Sequence, residues 1–92
     1  MAALKDYSGH IVAGGAAQDA LPANDAREYV LFQNTSDTDM YLDFDADAAA
    51  ATGIRIVPNG SYEQYFKERK FIRGRLSVFC ATTGKAFCCK EA

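Results

Sequence analysis

Arg27-Glu28-Tyr29-Val30-Leu31-Phe32-Gln33-Asn34, then Thr35-Ser36-Asp37-Thr38, then Asp39-Met40-Tyr41-Leu42-Asp43-Phe44-Asp45 is the stretch that decides the fold. Its first run is rich in aromatic and aliphatic strand formers. The middle four residues are turn formers whose short side chains hydrogen-bond the local backbone. The last run alternates: Met40, Leu42 and Phe44 face one way, and Asp39, Tyr41, Asp43 and Asp45 face the other. A period of two with acids on one side means a strand with one wet and one buried face. The pattern predicts a β-hairpin around a four-residue turn. A two-stranded ribbon is marginal in water, so the rest of the chain must cover it.

Downstream, four consecutive alanines, Ala48 to Ala51, sit in a segment that ends at Gly53. It is too short for an independent helix, so a loop or one helical turn is expected. Ile54 to Val57 reads as a strand, Pro58-Asn59-Gly60 as a turn, and Ser61 to Phe66 as the returning strand. A charged connection, 67–74, is expected to anchor through Phe71 and Ile72. Arg75 to Ala81 is a strand with Leu76, Val78 and Cys80 on one side. Thr82-Thr83-Gly84 is the next hairpin turn, and Lys85 to Lys90 the last strand. Six to seven short strands with turn signals between them predict an all-β fold over residues 27–92, a small antiparallel sandwich or barrel. No amphipathic helix of useful length is present to cover an α/β sheet.

Residues 1–26 are rich in alanine and glycine. They read as an extended N-terminal arm, with a short strand at His10 to Ala13 and one helical turn at Ala16 to Ala20 stopped by Leu21-Pro22. Such an arm buries little and is expected to move unless a partner holds it.

The chain has 92 residues, enough for one core and too few for a core plus an elaborate cleft. Its formal charge of −2 argues against general affinity for nucleic acid or acidic membranes. The charges cluster, with five acids between Asp37 and Asp47 and five bases between Lys67 and Arg75. Three cysteines, Cys80, Cys88 and Cys89, and no signal-like or membrane-spanning run favour a reducing site of folding, with the thiols as small buried hydrophobes. Asp43-Phe44-Asp45-Ala46-Asp47 spaces carboxylates like a calcium loop, but Ala48 and Ile54 stand where an EF-hand needs Gly and Glu. No paired Cys-x-x-Cys spacing, serine elbow or phosphate loop is present. The chain reads as non-enzymatic and without metal or cofactor.

The turns carry a resemblance. Gln33-Asn34-Thr35-Ser36-Asp37, then Pro58-Asn59-Gly60-Ser61-Tyr62, then Ala81-Thr82-Thr83-Gly84-Lys85-Ala86-Phe87 with Lys90-Glu91-Ala92 resembles small structural proteins of tailed-bacteriophage virions, over residues 27–92. Cys88-Cys89 departs from the polar pair expected there. The resemblance implies a virion location, assembly in the bacterial cytoplasm, and a capsid decoration or cement role. The implied partners are the major capsid protein or another virion protein, and further copies of the chain on the particle; the charge balance and the lack of a spanning run argue against membrane and nucleic-acid partners. The expected contact residues are Asp39, Tyr41, Asp43 and Asp45 on the acidic face, and Lys67, Arg69, Lys70, Arg73 and Arg75 in the basic run. Two other readings are a head–tail or tail component, and a carbohydrate-binding sandwich that stacks sugars on Tyr41, Tyr62 and Tyr65.

Overall fold

The computed structural model describes residues 4–65 and 73–92. Its strand segments are β1 (Lys5–Asp6), β2 (Gly9–His10), β3 (Gln18–Leu21), β4 (Tyr29–Asn34), β5 (Met40–Phe44), β6 (Ile54–Ile56), β7 (Ser61–Tyr65), β8 (Leu76–Phe79) and β9 (Ala86–Glu91). One sheet has the order β1-β9-β4-β7, with β2 also on β9; the other has the order β3-β8-β5-β6. Every pairing is antiparallel. No helix occurs among the described residues. The protein is a small all-β sandwich.

β1 and β2 share one register on β9: Lys5 faces Glu91, Asp6 faces Lys90, Gly9 faces Phe87 and His10 faces Ala86. They are two halves of a single edge strand, joined by the Tyr7 N–H to Cys89 O bond of 2.7 Å. Counted so, the chain lays its first, eighth, third and sixth strands in one sheet and its second, seventh, fourth and fifth in the other. That is the wiring of an eight-stranded jelly roll.

The alternation within strands is as the sequence dictates. Val30, Phe32, Met40, Leu42, Leu76, Val78 and Cys80 all turn inward and are fully buried. Phe32 of β4 stacks on Phe87 of β9, with ring centroids 5.3 Å apart. The pairing of strands differs from the expectation. β4 and β5 form no hairpin: the turn 35–39 arches from one sheet to the other, and so do 57–60 and 80–85. A hairpin and an arch bury the same alternating set, so periodicity alone does not separate them.

The N-terminal segment also departs from expectation. It is no loose arm in its described part, because it supplies the outer strand of each sheet on one side. Residues 18–21 are strand β3 against β8, with a bulge at Ala20, where one helical turn was expected. Ile11 and Leu21 are fully buried, and burying such a side chain is worth roughly 1.5–3 kcal/mol. Gly14 lies against the backbone of residues 81–83, where a Cβ would come within 2.5 Å of Ala81 O. Only glycine fits that approach.

Candidate docking surfaces

The acidic face is partly spent on internal contacts. β5 ends at Phe44, and Asp45 turns off the strand at φ 59°, with its carboxylate packed against Gly74. Asp43 Oδ1 accepts the Phe44 N–H at 2.8 Å. Asp39 pairs with Arg55 at 2.9 Å, and Tyr41 leans on Phe79 across the strand pair. The loop after β5 folds over this face, where the buried Ala48 donates its N–H to Ser77 Oγ at 2.9 Å.

The basic run does not stand apart as a separate patch. Lys67, Arg69 and Lys70 lie outside the described residues, as do the expected anchors Phe71 and Ile72. Arg73 donates from Nε to Arg27 O at 2.9 Å. Arg75 reaches Asp19 at 2.7 Å and Asp47 at 3.1 Å, tying β3 to the loop after β5. Those two carboxylates push its pKa further up. Folding therefore brings part of the acidic and basic clusters together. Two more pairs, Lys85 with Asp37 and Lys90 with Asp6, sit on the surface. The Lys85 hydrogen bond holds Asp37 below the usual carboxylate range, and the Ser8 hydrogen bonds do the same for Asp6.

Two buried polar groups tie the ends of the sandwich, and neither was among the expected site residues. At one end Asn34 is fully buried. Its Nδ2 donates to Thr38 O and Ile56 O, both at 2.8 Å, and its Oδ1 accepts from Ser36 N and Ser36 Oγ. Its backbone accepts from Asn59 N and donates to Gly60 O. One residue thus ties two sheet-crossing turns. At the other end Arg27 Nε meets Glu91 Oε1 at 2.8 Å, both side chains sealed from solvent. Arg27 also donates to Gly74 O and Pro22 O, and Asn24 donates to the second Glu91 oxygen. No buried side-chain nitrogen or oxygen among the described residues lacks a partner. The sequence signal for both ties is phase: Asn34 follows Val30 and Phe32, and Glu91 follows Phe87 and Cys89, at inward positions of their strands. The turn residues Asn34, Ser36, Asn59 and Gly60 all belong to the first of these ties.

The exposed large apolar side chains among the described residues lie along the sheet edges. Among the described residues β6 and β7 end their respective sheets and are joined by the turn 57–60, so they form one flank. Ile54, Val57 and Tyr65 on that flank are 44%, 47% and 51% exposed. The other exposed large apolar side chains among the described residues, Leu4 and Val12, bracket β1 and β2 on the opposite flank. Tyr65 lies beside Tyr29 with centroids 5.1 Å apart, and Tyr29 donates to Glu63 at 2.5 Å. Burial, and then Glu63, raise the Tyr29 pKa to about 12. Tyr62 is half-buried and packs against Phe44 and the core.

All three cysteines are free thiols. Burial, and then Cys88, push Cys89 up to about 12, which keeps it a neutral core group. No group of three or more metal-ligating side chains occurs among the described residues. Comparison with family models, with curated proteins and with solved structures finds no match for this chain.

Proposed function

We propose that the protein is a non-enzymatic virion component, a capsid decoration or cement protein that docks by the β6–β7 flank. The observation that carries this reading is that Ile54, Val57 and Tyr65, three of the exposed large apolar side chains among the described residues, all belong to β6, β7 or the turn that joins them, at the last described strand of each sheet. Exposed apolar groups beside an open strand edge are a template for another chain. β3, on the other side, is blunted by its bulge and by Asp19. The jelly-roll wiring agrees with a coat role by analogy of fold alone, since viral coat domains and lectins share it. The partner on this reading is the major capsid protein, with further copies of this chain spread over the shell. The runner-up is a head–tail or tail component using the same flank.

The test mixes the purified protein with coat shells of the same genome that lack it, and counts bound copies by sedimentation. Ile54→Asp with Val57→Asp replaces two exposed side chains; once circular dichroism shows the variant folded, it is expected to abolish attachment. Equal binding by the double variant defeats the flank. Binding to tail or portal assemblies, with none to shells, replaces decoration by the runner-up.

A further inference from the structure

The turn between β6 and β7 carries a chemistry that docking does not use. Asn59 precedes Gly60 there. In an Asn-Gly pair no side chain shields the glycine nitrogen, and that nitrogen can attack the neighbouring carboxamide. Asn59 is exposed, and no hydrogen bond holds its carboxamide among the described residues. Its φ of 65° is left-handed, a region that asparagine tolerates better than most residues. Gly60 is needed for another reason: a Cβ there would meet Val57 O at 2.9 Å. The two residues that the turn geometry selects are therefore the two that react.

The same turn restrains the reaction. Gly60 N donates to Val57 O at 2.8 Å, Asn59 N donates to Asn34 O at 2.8 Å, and Asn34 N donates to Gly60 O at 2.9 Å. The attacking nitrogen is thus engaged, and the peptide around it is clamped on both sides by Asn34.

We propose that Asn59 is a spontaneous modification site, converting to aspartate and isoaspartate through a succinimide at a rate gated by the Asn34 tie. The Gly60 nitrogen bonds to Asn59 Cγ. The bond from Cγ to the carboxamide nitrogen breaks, and ammonia leaves with the proton lost from Gly60. One water then opens the ring. Addition at Cγ gives aspartate, and addition at the backbone carbonyl gives isoaspartate. Aspartate preserves the chain length and fits the turn. Isoaspartate adds a methylene to the main chain between β6 and β7, so the bonds of Asn34 to Asn59 and Gly60 cannot both persist. The inference is independent of the docking reading.

The experiment incubates the intact chain at mildly alkaline pH below its melting temperature and maps peptides, separating aspartate from isoaspartate. Three arms are compared: the folded protein, the protein in urea, and folded Asn34→Ala. The expected result is modification at residue 59 ahead of Asn24 and Asn34. Urea and Asn34→Ala are each expected to raise the rate about tenfold or more, as local opening becomes cheaper. Equal rates in the folded and urea arms, or faster change at Asn24 than at Asn59, overturn the proposal. If Asn34→Ala does not fold, the rate in graded urea below the unfolding transition is compared with hydrogen exchange of the Gly60 amide. Parallel rise of the two supports gating, and a rate that ignores the exchange overturns it.

Discussion

The two ends of the sandwich solve one problem by different chemistry. At one end a neutral amide, Asn34, ties the turns 35–39 and 57–60. At the other an ion pair, Arg27 with Glu91, ties the loops before β4 and β8 to the end of β9. An amide has both donors and acceptors, so it can serve carbonyls and N–H groups in a tight arch at modest desolvation cost. At the other end the donors of one guanidinium serve Gly74 O, Pro22 O and Glu91 together. The cost is a buried charge that needs its carboxylate in place. The difference teaches that the compact end is tolerant and the charged end brittle.

Single substitutions should break that comparison most sharply. Glu91→Leu leaves Arg27 buried without its counter-charge and should cost ~3–5 kcal/mol, whereas Arg27→Met with Glu91→Leu should recover part of the loss. Asn34→Ala removes the Nδ2 donor to Ile56 O and Thr38 O, of which Thr38 O keeps only Ser36 Oγ, and should cost ~1–3 kcal/mol. Urea unfolding of the variants ranks them. If Asn34→Ala proves as damaging as Glu91→Leu, the ends do not differ as argued.

Alkaline pH should act next, and mainly in the sheet that contains β9 and β4. Folding raises Cys89 from 9.0 to about 12 and Tyr29 from 10.0 to about 12. A raised pKa means that the folded state binds its proton more tightly. The stabilisation is therefore complete below pH 9.0, the ordinary Cys89 value, and is lost as pH rises toward about 12. Thermal melts across that range should fall with pH. Cys89→Ala should flatten the fall while lowering stability at neutral pH, because it opens a cavity beside Phe32. A Cys89→Ala slope equal to that of the intact protein would assign the loss to other groups.

The fold class was legible because alternation at Met40, Leu42, Leu76, Val78 and Phe87 is local and its burial is direct. The pairing of strands was not legible, since Asn34 chooses an arch by bonding Ile56, twenty-two positions away. The N-terminal segment was misread for a related reason. Ile11 and Leu21 stand in a segment rich in alanine and glycine, and only partners distant in sequence place them in the core: Ile11 donates its N–H to Lys85 O, and Leu21 lies opposite Leu76 of β8. The candidate surface was read from charge density, which ignores partners distant in sequence such as Arg75 and Asp19. Phase was the better guide, because a Glu or Asn at an inward position demands a buried partner.

The smallest effect concerns Arg75, which also bridges elements at the charged end but does so near solvent. Its side chain is 32% exposed, and those of Asp19 and Asp47 are 56% and 81% exposed. Water screens both charges, and holding the long side chain in place costs entropy, so exposed pairs contribute ~0.2–1 kcal/mol. A double-mutant cycle on Arg75→Ala and Asp19→Ala should give a coupling in that range. It should shrink with added salt, because screening acts over ~8 Å at physiological ionic strength. The cycle on Arg27 and Glu91 should keep most of its coupling in the same salt, since no counter-ion reaches a sealed pair. A salt-resistant Arg75–Asp19 coupling above ~2 kcal/mol, outside the range for exposed pairs, would move the brittleness of this end from its interior to its surface. The contrast with Asn34 would then rest on the surface ion pairs, and the buried pair would be only one member of a wider network.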